Sequence, residues 1–336
     1  MKKTIIKGTG KAIPSQLVTN EDLTEIMDTT DEWIQKRTGI KQRYWIPKGE
    51  EIGASDLGLE ASLKAMKEAK WEPKDIDFII FATLSPDIFF PGSGCLLQHK
   101  LGLTSTPALD IRQQCTGFLY SLATADSYIK SGLAKKILIV GAEVHSTGLD
   151  KTTKGRDITV LFGDGAGAVC VEGVETNEDI GVITSVLHAD GSGADALMVE
   201  LPASRLPQRL PLDMLKNDAR HFPSMNGQKV FKMAVKKLPQ VTKETLKKAG
   251  LTLDDIDMIF PHQANLRINE FYREIMKIDK NKIFNNIQKY GNTTAASIPI
   301  ALNEALKQNL VGKKGDTVLF VAFGAGLTWG GIIYRF

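Results

Sequence analysis

The sequence predicts an α/β fold built from two duplicated halves. Three observations carry that prediction. Helical and strand patterns alternate along the chain. The segment Asp75-Ile-Asp-Phe-Ile recurs as Asp255-Ile-Asp-Met-Ile, 180 positions later. Two further landmarks repeat at nearly the same offset.

Taken in order, residues 57–70 (LGLEASLKAMKEAK) place apolar side chains on one helical face with Lys and Glu opposite. Pro73 breaks that helix. Residues 75–84 (DIDFIIFATL) then form a continuous apolar run with β-branched members, the pattern of a strand covered on both faces. Residues 135–141 (KKILIVG) are a second such strand, and 157–161 lead into the glycine-rich FGDGAGAVCV of 162–171. This alternation predicts helices packed outside mostly parallel strands. In the second half the strand near Ile137 has its counterpart at Val318, 181 positions on. Each half also carries a polar segment that runs into a helix, QQCTGFLYSLATA at Gln113 and YGNTTAASIPIAL at Tyr290. Cys115 and Asn292, 177 apart, thus fall at nearly equivalent points. The halves are expected at 1–175 and 176–336, divided in the polar stretch VEGVETNED. A groove between them is a natural ligand site. Residues 189–225 are the least regular, with Gly191, Gly193, four prolines and the tripeptide RLP twice. A segment of this kind is a lid, a binding loop or a mobile stretch, expected over the active-site entrance.

Composition bounds the function. The chain has 336 residues, 43% hydrophobic and 24% charged, as in ordinary globular proteins. A formal net charge of +3 argues against a dedicated nucleic-acid binder and leaves room for a local basic patch. Three cysteines (Cys95, Cys115, Cys170) with no CxxC pair make neither a disulfide framework nor a zinc ribbon. The first residues lack the apolar core of a signal peptide, and no apolar run reaches the ~18 residues of a membrane span. A reducing, cytoplasmic setting is the default.

Four sites could carry chemistry. Cys115 follows a strand-like LDI and precedes a helical pattern, so its thiol sits at a helix start, where peptide dipoles favour the thiolate. It also reads as a buried small hydrophobe. His262, in Phe260-Pro-His-Gln-Ala-Asn, lies just past a strand end, where α/β enzymes keep catalytic groups. It suits proton transfer near neutrality, or a structural bond to a carbonyl. Asn292 reads as a helix cap or as an amide donor aimed at the same pocket. The turn Phe323-Gly-Ala-Gly-Leu-Thr-Trp-Gly exposes backbone N–H groups that can cradle an oxyanion, or is simply a tight turn. FGDGAGA likewise reads as a tight turn and lacks the spacing of a dinucleotide or Walker loop. Taken together, a thiol at a helix start, two hydrogen-bonding side chains and a glycine-rich donor turn make an acyl-transfer constellation.

In these contexts (QQCTGF, PHQAN, YGNTTAAS, FGAGLTWG, with DEWI, RTGI and FGDGAGA) the chain resembles the β-ketoacyl-acyl-carrier-protein synthase III family of the thiolase superfamily, from near Lys7 to Phe336. The resemblance implies a thiolase-like αβαβα sandwich and catalytic Cys115, His262 and Asn292. It implies oxyanion donors from the backbone of Cys115 and Ala325. It further implies an acyl-CoA primer, malonyl-acyl-carrier protein as the second substrate, decarboxylative condensation through an acyl-cysteine, no cofactor or metal, and a homodimer. Thr29, Trp33, Arg37, Arg156, Gln228, Phe231 and Ala264 match coenzyme A contacts, with Trp33 and Arg156 at the adenine. Phe90 matches the residue that closes the partner's acyl pocket. Lys232, Arg267 and Arg273 match carrier-protein docking positions; as isolated charges they also read as solvated surface. The chain departs from the family at Arg112-Gln-Gln before the nucleophile, at Gln228, and in the length of 189–225. These departures leave open a pathway-specific relative that condenses acyl chains without decarboxylation, with Glu200 as a base, or that transfers an acyl group to another acceptor. A catalytically silent scaffold is a third reading, against which the intact Cys, His and Asn argue.

Overall fold

The computed structural model describes residues 2–210 and 219–336. Its framework is two mixed sheets. The first is formed by β1 (Lys2–Ala12), β2 (Phe78–Ala82), β3 (Ala108–Ile111), β4 (Lys136–Glu143) and β5 (Gly165–Glu175), in the order β3-β2-β4-β5-β1. The second is formed by β6 (Gly181–Ala189), β7 (Met258–Pro261), β8 (Thr317–Gly324) and β9 (Thr328–Arg335), in the order β7-β8-β9-β6. The orders superpose as β2/β7, β4/β8, β5/β9 and β1/β6. A lone parallel bridge between Ile259 and Ile283 stands where β3 would have its mate. The repeat in the sequence is therefore a repeat in the fold.

Helices α1 (Ala54–Ala69) and α2 (Ser93–Lys100) cover the outer face of the first sheet. α4 (Gly227–Ala249) and α5 (Leu266–Met276) cover that of the second. Between the sheets lie α3 (Gly117–Ser131) and α6 (Ser297–Lys307), whose Phe118, Leu122, Ile298 and Leu302 share one core with strands from both sheets. The layers are α, β, α, β, α. Along β8, Val318, Phe320 and Ala322 enter the central core while Leu319, Val321 and Phe323 enter the outer one. That double burial is why the strand reads as an unbroken apolar run.

Strand direction differs from the expectation. β2, β3 and β4 are parallel, as are β7 and β8, but β5 and β1, and β9 and β6, run antiparallel to their neighbours. Residues 156–159, ahead of the glycine-rich segment, form a short helical turn. Within 189–225, Leu197–Met198 pairs with Ser224–Met225. The expectation for the whole segment also covers 211–218, which lie outside the described residues. Among the described residues no helix is long and apolar enough to cross a membrane.

Candidate active site

Each central helix is entered through a 3-10 turn, Gln114–Thr116 before α3 and Thr294–Ala296 before α6. Both turns open on a residue in the left-handed region, Gln114 at φ 42° and Thr294 at φ 48°. Cys115 is the middle residue of the first turn. Its strict counterpart is Ala295, so Asn292 lies three residues ahead of the equivalent point predicted for it. Thr116 Oγ1 and Thr328 Oγ1, 2.8 Å apart, tie the Cys115 turn to the terminal glycine turn. Gly324 presses against the cysteine: a Cβ there would stand 2.4 Å from the Cys115 Cβ, so only glycine fits. This approach brings the backbone N–H of Ala325 to the sulfur.

Burial pushes the Cys115 thiol up to about 12, and the Glu143 carboxylate acts in the same direction. The N–H groups of Ala325 and of Cys115 itself pull it down. The helix start predicted a lowered thiol pKa. The sign is opposite because the sulfur is withdrawn from water, and desolvation of a thiolate outweighs the dipoles. Cys115 therefore rests as a thiol whose sulfur already touches two backbone N–H donors.

His262 follows β7 and is buried. Its Nδ1 lies 2.7 Å from Ser297 Oγ at the start of α6. Ser297 Oγ also accepts the Gln263 N–H at 3.4 Å. When the serine donates its proton to Nδ1, the imidazole proton stands on Nε2. Nε2 is buried and has no partner among the described residues. Burial holds this imidazole down to about 3, so it is neutral. Asn292 Oδ1 accepts from the Thr294 N–H at 2.8 Å, leaving the Nδ2 end of the amide as the donor. Cys115, His262, Asn292 and Gly324 line one cavity of about 140 Å³, together with Phe231 and Ala264. A second cavity, of about 250 Å³, opens on the other side of Cys115 and includes Ala325. A surface cleft of about 690 Å³ shares Leu161, Met225, Gly227, Phe231 and Asn265 with the first cavity. The cleft and the two cavities thus adjoin one another around Cys115.

The descriptions of known families match this frame. The model for 3-oxoacyl-[acyl-carrier-protein (ACP)] synthase III matches residues 109–191, and the model for its C-terminal part matches 246–336. A β-ketoacyl-[acyl-carrier-protein] synthase III of Caldanaerobacter subterraneus is 44% identical over 98% of this chain and 97% of its own. The chain belongs to the 3-oxoacyl-[acyl-carrier-protein] synthase III family. The crystal structure of the Aquifex aeolicus family member superposes with a TM-score of 0.88 at 41% identity, covering 100% of both chains. The Thermus thermophilus family member gives 0.89 at 39% identity over 98% of each.

The cleft of this synthase III family member gathers Trp33, Arg37, Gln228, Phe231 and Arg267. The guanidinium groups of Arg37 and Arg156 lie 4.2 and 4.9 Å from the Trp33 ring centre. Arg267 lies 5.8 Å from the Phe231 ring. Other expected residues stand apart. Thr29 is buried, with a hydroxyl unpartnered among the described residues, and is not among the residues lining the cleft. Lys232 is exposed on α4. Arg273 is engaged by Glu270 at 2.8 Å and Glu274 at 3.5 Å, which spends its charge locally. Phe90 is 74% exposed beside the exposed Ile88 and Phe89, an apolar patch with the Arg209 guanidinium 4.7 Å from the Phe89 ring centre. Glu200 pairs with Arg205 at 2.9 Å and Arg220 at 3.5 Å and lines neither cavity, so the geometry gives no base to the non-decarboxylating alternative. Among the described residues no group of three or more His, Cys, Asp or Glu could hold a metal.

Sequence reasoning missed Ser297 and Glu143. Glu143 is fully buried, and its carboxylate collects Thr83, Ser85 and the backbone of Leu84 from the first half and the Ala295 N–H from the second. The signal was present: an acid closing the apolar run ILIVGAE has to find partners. Ser297 has no comparable signal. The Asp of FGDGAGA, Asp164, has a structural task, accepting from Ile46, His145 and Ser146.

Proposed function

We propose that this family member condenses an acyl-CoA primer with malonyl-acyl-carrier protein, releasing CO2 and giving 3-oxoacyl-acyl-carrier protein at the start of fatty acid synthesis. The supporting observation is one cavity holding the Cys115 thiol, the unpartnered His262 Nε2 and Asn292, with the Ala325 N–H at the sulfur. Coenzyme A enters along the cleft past Trp33, Arg37, Arg156, Gln228, Phe231 and Ala264, and an adenine stacking on Trp33 displaces one guanidinium group. Cys115 attacks the thioester carbonyl. The oxyanion takes the N–H groups of Cys115 and Ala325, and coenzyme A leaves with the thiol's proton. In the second half-reaction His262 Nε2–H and Asn292 Nδ2–H hold the thioester oxygen of the malonyl group. Loss of CO2 leaves an enolate, which attacks the acyl-cysteine and expels the Cys115 thiolate. The second substrate docks at the cleft mouth, near Lys232 and Arg267, with Arg273 diminished by its acid partners.

We place the reaction in the cytoplasm, carried out by a homodimer in which a second copy covers Ile88, Phe89 and Phe90. Intact-protein mass spectrometry tests the chemistry. A primer-CoA should add one acyl group to the wild type and none to Cys115→Ala. His262→Ala and Asn292→Ala should still acylate, yet release CO2 from malonyl-carrier protein about 100-fold more slowly. A wild-type protein that stays unmodified by every primer would end this reading.

A further inference from the structure

We infer that the primer carries an oxygen function, carboxylate or hydroxyl, on the tail of a short acyl chain. The inference rests on the primer-acylation reading above and names the substrate class. The cavity of about 250 Å³ shares only Cys115, Phe162 and Leu197 with the cavity that holds His262 and Asn292. An acyl group on the sulfur, its oxygen on the Ala325 N–H, therefore has this space for its tail. At about 30 Å³ for each water-sized group, the space holds about eight non-hydrogen atoms.

Much of the wall is apolar, including Leu84, Val144, Leu149, Phe162, Leu197 and Val199. Polar side chains interrupt it. His145 and His221 both face this cavity, with Gln114 and Arg112. His145 is buried, its ring against Phe162 and its Nε2 2.8 Å from Thr294 Oγ1. Its Nδ1 makes no hydrogen bond among the described residues. The Nδ1 of His221 is buried and likewise unpartnered among them. Burial holds His145 down to about 3, so this ring meets the tail as a neutral imidazole. Ser85 and Thr294 complete the polar lining, but Ser85 Oγ is taken by Glu143 at 2.6 Å and Thr294 by His145. Among the described residues, Arg112 is the only Lys, Arg, Asp or Glu lining the cavity; it is exposed and makes no ion pair with the others.

A hydrocarbon tail would satisfy none of these groups. A site that buries hydrogen-bonding atoms against a substrate rejects the analogue that lacks the matching group far more strongly than a merely apolar pocket rejects an added one. The two imidazoles recognise the oxygen shared by both classes of primer. Arg112 would add affinity only for the carboxylate.

Three CoA thioesters matched in carbon count test this: pentanoyl, 5-hydroxypentanoyl and glutaryl. Cys115 acylation followed by mass spectrometry gives kcat/KM for each. The expectation is that one or both oxygenated primers exceed pentanoyl at least tenfold. His221→Leu and His145→Leu, each confirmed folded by its unfolding midpoint, should bring that ratio towards one. Arg112→Ala separates the classes, lowering glutaryl and sparing 5-hydroxypentanoyl. Pentanoyl equal to or faster than both oxygenated primers would overturn the inference while leaving the acylation reading intact. Absence of acylation by any primer would instead remove the reading beneath it.

Discussion

A neutral imidazole can donate from one nitrogen only if its proton is kept there. At position 262 that task falls to Ser297, whose oxygen accepts from Gln263 and lies 2.7 Å from Nδ1. Ser297→Ala should leave Cys115 acylation at the wild-type rate and slow CO2 release by about tenfold, the equivalent of about 1.4 kcal/mol for one neutral hydrogen bond. Equal losses in both half-reactions would mean that Ser297 only supports the fold. The buried thiol makes a second residue-scale prediction. With its pKa pushed up to about 12, alkylation of free Cys115 by iodoacetamide should keep accelerating above pH 9, past the range where an ordinary cysteine levels off at its pKa of about 8.5. A plateau below pH 8 would show that the helix start, not burial, sets the nucleophile. Cys115, His262 and Asn292 were legible because each stands in a turn whose flanking residues carry a pattern. Ser297 was not, because one hydroxyl at a helix start looks like any other.

Between elements, the decisive contact is the glycine turn after β8 lying on the 3-10 turn before α3. β8 is packed on both faces and cannot retreat. A methyl at 324 would meet the Cys115 Cβ at 2.4 Å and Sγ at 3.1 Å, so the Cys115 turn must shift instead. Gly324→Ala should cost about 1–3 kcal/mol in urea unfolding. It should lower single-turnover acylation about 100-fold, since a displacement of order 1 Å suffices for that loss. Acylation at the wild-type rate would show the contact to be dispensable. The duplication was visible in the sequence because the repeated strands are buried on both faces and keep their Asp-Ile-Asp starts. Strand direction was not visible: an apolar run such as that of β5 is the same pattern whether its neighbour runs parallel or antiparallel. Nor was the registration of Cys115 with Ala295, because the left-handed residues that mark it, Gln114 and Thr294, are of types that do not advertise positive φ.

Across the whole molecule, three deeply buried groups in the central layer make stability a function of pH, with opposing signs. Desolvation holds His145 and His262 down to about 3, whereas in the unfolded chain they take protons near their ordinary 6.5. As pH falls below 6.5 the unfolded state binds up to two extra protons, and each removes about 1.4 kcal/mol of stability per pH unit. Glu143 is pushed by desolvation from 4.5 up to about 7, against the hydrogen bonds from Ser85, Leu84, Thr83 and Ala295. Its contribution is complete below pH 4.5 and is lost as pH rises to about 7. Between pH 4.5 and 6.5 two histidines therefore oppose one glutamate. For these three groups the net is one proton, and stability should climb with pH at about 1.4 kcal/mol per unit. From 6.5 to 7 the glutamate acts alone, and the curve should turn over. Urea midpoints measured from pH 4.5 to 8 would trace this. His262→Ala should cancel the climb, since one histidine then balances one glutamate. Glu143→Gln should steepen the climb and abolish the turnover. A slope indifferent to both substitutions would mean that the central layer opens to water before the chain unfolds, and that these groups titrate without holding the two halves together.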